Sequence, residues 1–168
     1  MSDAAGLFRL DEAAVTRILK RLSSKGFDAI RGIEPELFET TFGALHSALD
    51  KVFDQPKYGD QNFDLVNQLR HNAAVFSAFK THRQQNDLHA ELFDADGKVR
   101  SFAEFRKATA PILSNYNVNW LQSEYNTAMI RAETAAQWSA IEQTKEIYPH
   151  VQWLPSTSVS QREAHKSL

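Results

Sequence analysis

A long helical pattern near the C-terminal end of the chain constrains the fold more than any other feature of the sequence. From residue 117 to about residue 145, apolar residues recur every three to four positions, which is the spacing of a helix with one buried face. Alanines on such a face let a neighbouring helix approach closely, so the pattern predicts a core helix of an all-α domain. The residues on this arc are Leu121, Tyr125, Ala128, Met129, Ala132, Ala135 and Ala136.

Two tryptophans flank the predicted arc. Trp120 and Trp138 are separated by about five helical turns, so they should lie on the same side of the helix. We expect Trp120, Tyr125 and Trp138 to be largely buried, because aromatic side chains fill the gaps beside small residues. Exposure of the arc would instead indicate a docking face for a partner or for a second copy of the chain.

Start and stop signals divide the first half of the chain into three more helices. Asp11 is the expected N-cap of the first helix, and Gly26 marks its end. Pro35 suits the first turn of the second helix, whose apolar stripe runs to residue 53. Asp60 is expected to cap the third helix.

The region before the long helix contains a fourth helix and a joint. Ser101 and Glu104 form a capping box, and Pro111 is expected to kink or end the helix that they start. Residues 114 to 117 are then the joint into the long helix. The predicted fold is all-α, with five to six helices, one long C-terminal helix, and a short extended segment near residue 152.

Composition excludes several classes of function. The 168-residue chain has no cysteine, which rules out disulfides, cysteine-ligated zinc and thiol catalysis. A net charge of −2 gives no basic excess of the kind that nucleic-acid-wrapping proteins carry. No apolar run approaches the roughly 20 residues of a membrane span, and the N-terminus lacks a signal-peptide pattern, so we expect use inside the cell.

The sequence predicts no metal, cofactor or catalytic site. His82 and His89 are about two turns apart on a predicted helix, too far for both to reach one ion. The stretch around Asp96 and Gly97 fails the register of a calcium loop and is interpreted as a turn. Arg162, Glu163 and His165, with His150, are the best candidates for phosphate binding or proton transfer, but a solvated tail or packed turn explains them more simply.

Several stretches in the second half of the chain carry a resemblance to a known family. They are residues 96–105, residues 117–128, residues 135–138, residues 148–149 with 153–155, and residues 162–165. In this order they resemble the phage Mu F-like family of minor head, or head morphogenesis, proteins. The resemblance covers roughly residues 90 to 168, and it divides the chain into a helical N-terminal region (1–90) and a Mu F-like head morphogenesis region (91–168). We expect the two regions to form one compact unit.

The chain departs from the family pattern at its end. The family's closing motif resembles Asp-x-Arg-x-x-His, and here Arg162 and His165 stand in place while Ser160 occupies the acidic position. Family members usually continue through a Gly- and Pro-rich stretch to a Cys-containing segment. We therefore expect a C-terminally truncated member: a piece of a longer protein, a natural short form, or the product of a degraded prophage gene.

The resemblance implies a structural and assembly protein of a phage or prophage head, present in few copies near the portal, and not an enzyme. Its implied partners are portal and/or major head proteins, and its implied locations are the bacterial host cytoplasm during assembly and then the virion head. Self-association and direct DNA contact stay open, as does an alternative function as a helical adaptor or regulatory module. The family-motif residues of unknown role are Trp120, Glu124, Tyr125, Trp138, Arg162 and His165.

Overall fold

The computed structural model describes residues 10–24 and 26–152, and over these residues the protein is mostly helical and has no β-strand. The α-helices are α1 (Glu12–Leu22), α2 (Pro35–Phe53), α3 (Phe63–Ala90), α4 (Phe102–Ser114) and α5 (Leu121–Thr144). A π-helix (Asn115–Trp120) connects α4 to α5 without a break. The predicted all-α class and the long C-terminal helix are confirmed.

The prediction of five to six separate helices is not confirmed, because α4, the π-helix and α5 form one continuous segment from residue 102 to residue 144. Pro111 lies inside α4 and does not end it. Pro111 is exposed, and because it has no amide hydrogen it removes one hydrogen bond from the interior of α4. The extended segment predicted near residue 152 lies mostly outside the described residues.

The helix starts agree with the capping signals in three of four cases. The Asp11 carboxylate accepts a hydrogen bond from the Ala14 amide at 2.6 Å, and Pro35 occupies the first turn of α2. The capping box of Ser101 and Glu104 is formed at the start of α4. The prediction for α3 is wrong by two residues, because Asp60 lies in the preceding turns and Asn62 is the N-cap.

The chain divides into two compact units, residues 1–136 (the first unit) and residues 137–168 (the second unit). The predicted boundary at residue 90 falls within the first unit. Among the described residues, the core of the first unit contains four apolar clusters, two of which include residues of α5. One of these joins Ala44 and Ala48 of α2 to Leu121 and Tyr125, and the other centres on Leu49, Val66 and Ala132. The remaining two centre on Leu88 and on Phe105.

The alanine-rich arc of α5 faces the core of the first unit as predicted. Leu121, Tyr125 and Ala132 are buried, and Ala128 and Met129 pack against them while partly buried. Small side chains on both α2 and α5 allow these helices to approach closely.

Within the described part of the chain, no helix combines the length and the apolar character that crossing a membrane requires.

Candidate functional site

A row of polar contacts, here called the polar seam, connects α3 to the π-helix and α5. Along this row, residue numbers fall on α3 while they rise on the π-helix and α5. The two helical segments therefore run antiparallel. The pairs are Asp87 with Tyr116, Gln84 with Asn117, and Lys80 with Glu124. The row runs from the exposed Asp87 through the buried Gln84 and Asn117 to the buried Lys80. Its buried members favour one register between the helices, because buried polar groups need partners.

The ion pair between Lys80 and Glu124 is the charged end of the seam. The Lys80 side chain is only 5% exposed and the Glu124 side chain 26% exposed. Burial lowers the pKa of the Lys80 ammonium group, and the Glu124 carboxylate opposes that shift through a hydrogen bond and charge attraction. The charge on Lys80 is therefore maintained mainly by Glu124.

The middle of the seam contains buried polar atoms that are incompletely paired. Gln84 donates to the side-chain oxygen of Asn117 across 3.4 Å, while the Gln84 oxygen and the Asn117 nitrogen have no hydrogen-bond partner among the described residues. Asn117 is 3% exposed because the π-helix carries its side chain inward. An unpaired buried polar group costs about 1–3 kcal/mol, and π-helical turns recur at functional sites.

Tyr116 forms the third contact of the seam and supports an exposed tryptophan. Its hydroxyl donates to the Asp87 carboxylate at 2.5 Å. Burial and this hydrogen bond raise the pKa of Tyr116 to about 12, although the nearby Arg83 opposes the shift. The Trp120 ring packs edge-on against the Tyr116 ring, with 4.6 Å between their centroids.

The expected burial of the two tryptophans is wrong. Trp120 is 49% exposed and Trp138 is 52% exposed, whereas Tyr125 is buried as predicted. Trp120 precedes the buried Leu121 by one residue, a rotation of about 100° around the helix axis, which takes it off the core-facing arc. Helical spacing therefore did not predict the exposure of either tryptophan.

An apolar cleft, of about 360 Å³, lies between α2, α3 and α5 in the first unit. Its apolar lining comes from all three helices, and its polar rim comes from α3 and α5. The lining residues are Leu45, Leu49, Leu69, Asn72, Ala73, Phe76, Glu124, Thr127, Ala128, Arg131 and Ala132. A concave apolar surface with a few polar groups at its edge is the usual form of a binding site.

The structure separates the family-motif residues. Glu124 belongs to both the seam and the cleft, and Trp120 lies beside the seam. The hydroxyl of the buried Tyr125 accepts a hydrogen bond from the Lys51 ammonium group at 2.6 Å, which is a core contact between α2 and α5. Trp138 belongs to the second unit. The remaining candidates, Arg162 and His165, lie outside the described residues.

Sequence reasoning missed the α3 half of this site. Lys80, Gln84 and Asp87 recur every three to four residues, which is a helical stripe of polar character beside an apolar one. That spacing could have indicated a polar contact between helices, but a polar stripe on a helix is more typical of a solvated face. Within residues 10–24 and 26–152, no group of three or more metal-ligating side chains comes together.

Comparison with known proteins gave no match: no family model, no curated protein and no solved structure is similar to this chain at a significant level.

We predict that the two members of the Lys80–Glu124 pair contribute unequally to stability. Glu124→Gln leaves a nearly buried ammonium without a carboxylate, and should lower the free energy of unfolding by about 2 kcal/mol. Lys80→Met leaves only the more accessible carboxylate and should cost about 1 kcal/mol, while the double variant should lie within about 1 kcal/mol of wild type. Urea unfolding followed by circular dichroism measures these differences.

The matched control for this comparison is Lys107→Met, which removes an exposed lysine from α4. It should change the free energy of unfolding by less than about 0.5 kcal/mol. A Lys80→Met variant at least as unstable as Glu124→Gln would contradict the unequal contribution.

We also predict that Tyr116 ionises at a raised pH. A raised pKa means that the folded state holds the phenolic proton more firmly than the unfolded state does. The resulting stabilisation is fully present below about pH 10, the unfolded pKa, and is lost as the pH rises toward 12. Ultraviolet titration of the phenolates should show a phase near pH 12, and Tyr116→Phe should remove that phase. Retention of this phase in Tyr116→Phe would show that another tyrosine causes it.

Proposed function

We propose that this chain is a minor head protein of a phage or prophage, a structural and assembly component that acts near the portal. The resemblance of residues 96–105 and 117–128 to the Mu F-like head morphogenesis family supports the proposal. The observation that carries it is the position of Trp120 and Glu124, which both belong to the resembling helix. Trp120 is half exposed and Glu124 lines the cleft, so this part of the motif is available to a partner.

In this proposal the chain works by docking and carries out no chemical step. Tryptophan is among the residues that contribute most to protein interfaces, because it buries a large apolar area at low entropic cost. A half-exposed tryptophan four residues before Glu124, which lines the apolar cleft, is therefore suited to binding portal or major head proteins. The chain would bind them in the cytoplasm of the bacterial host and remain with them in the virion head.

A second candidate is a helical adaptor or regulatory module unrelated to virion assembly. The apolar cleft favours it as well, because a cleft with a polar rim accepts an amphipathic segment from many kinds of protein. The two candidates differ in the identity of the partner and share the same surface.

An affinity experiment distinguishes the two. The tagged full chain is mixed with lysate from an induced lysogen of its source, and the retained proteins are identified by mass spectrometry. Wild type should retain portal or head proteins, and Trp120→Ala should retain several-fold less because the exposed ring is lost. Tyr58→Ala is the matched control, since Tyr58 is an exposed aromatic residue (91%) before α3. It should behave as wild type.

Recovery of unrelated cellular proteins alone, with a folded bait, would contradict the head-protein proposal and favour the adaptor. Recovery of head proteins that is equally strong for wild type and Trp120→Ala would support the head location, but would contradict the use of the Trp120 surface.

A further inference from the structure

The charge of the cleft is the first feature that indicates what it binds. Glu124 lines the cleft, but its carboxylate is already paired with Lys80. Arg131 lies two turns further along α5, is exposed, and forms no ion pair with any carboxylate of the described residues. Among the described residues, Arg131 is therefore a cleft cation without a carboxylate partner, which favours a partner protein that carries a carboxylate.

Exposed apolar side chains continue from the cleft along α3. Phe76 lines the cleft and is 45% exposed, and Phe79, one turn further on, is 74% exposed. Trp120, the last residue of the π-helix, packs against Tyr116, which itself contacts α3. Aromatic residues beside an arginine are the composition found at the centre of protein interfaces.

The size of the cleft limits what can enter. A volume of about 360 Å³ accepts roughly two side chains of the size of leucine or phenylalanine, and not the backbone of a helix. Side chains one turn apart on a helix are spaced to enter together. The cleft is lined in part by small side chains, those of Ala73, Ala128 and Ala132. Because these side chains are short, the axis of a partner helix can lie close to α3 and α5.

We propose that this cleft binds an acidic amphipathic helix of a partner protein. The helix inserts two apolar side chains one turn apart and places an aspartate or glutamate against Arg131. Phe76 and Phe79 extend the apolar contact along the outside of α3. This inference rests on the proposed function for the identity of the partner, whereas the chemistry of the partner comes from the cleft itself.

The test uses the full chain and a displayed library of helical peptides, so that no phage component is required. Peptides selected on wild type are sequenced, and the binding of the selected clones is then measured on four variants by fluorescence anisotropy. The variants are Phe76→Ala, which removes one wall of the cleft, Arg131→Glu, which reverses its charge, and the controls Tyr58→Ala and Arg31→Glu. Arg31 has an 88% exposed side chain in the α1–α2 connection.

The selected peptides should share two apolar residues three or four positions apart and an acidic residue near them. Their affinity should fall at least about tenfold on Phe76→Ala and on Arg131→Glu, and should be unchanged on the two controls. A peptide in which the acidic residue is replaced by lysine should regain affinity for Arg131→Glu. This reciprocal rescue separates recognition from misfolding, because a misfolded variant binds neither peptide.

Three results would overturn the inference: no enrichment of any peptide, enrichment of peptides without an acidic residue, or equal binding to wild type and to the Phe76 and Arg131 variants. Concentration-dependent dimerisation of the chain through Phe76, measured by analytical ultracentrifugation, would also overturn it, by assigning the cleft to a second copy. Peptide binding as described, together with failure to retain head proteins, would support the inference and contradict only the proposed function.

Discussion

The buried polar face of α3 is the constraint on which the rest of the first unit depends. Gln85 is fully buried; its side-chain oxygen accepts from the Glu34 amide at 2.8 Å, and its nitrogen donates to the carbonyls of Ala29 and Gly32 at 2.8 Å and 2.6 Å. On the other side of the same helix, Lys80 requires the carboxylate of Glu124. Because unpaired buried polar groups are costly, α3 fixes both the connection before α2 and the position of α5.

This arrangement explains why an aromatic surface is left exposed. The seam holds α5 to α3 through polar pairs on one flank, and the alanine arc holds α5 to α2 on the adjacent flank. Trp120 lies beyond the seam and rests on Tyr116, so it is supported but not covered. Nearer the start of α3, Phe76 faces the small residues Ala128 and Ala132 of the α5 arc, and the cleft lies between them. The same side chains that specify the packing thus define the surface available for docking.

The extent to which the sequence predicts this structure differs between its apolar and polar residues. The buried arc of Leu121, Tyr125 and Ala132 follows from helical periodicity, because apolar burial depends on the face alone. The exposure of Trp120 does not follow, since it depends on which rotation of the helix the buried Leu121 and Tyr116 impose on their neighbours. The continuous helix through Pro111 and the inward turn of Asn117 depend on the tertiary environment, and a local signal cannot report that environment. The role of Lys80 depends on a partner 44 residues away in the chain.

We propose that the cleft between α2, α3 and α5, with Phe79 and Trp120, is the docking surface of the chain. Hydrogen–deuterium exchange of the chain, alone and saturated with its captured partner, can locate this surface. Partner binding should slow exchange in residues 72–80 and 120–132, and should leave α1 and the end of α4 unchanged. Slower exchange confined to α1 or α4, with no change around the cleft, would contradict this proposal.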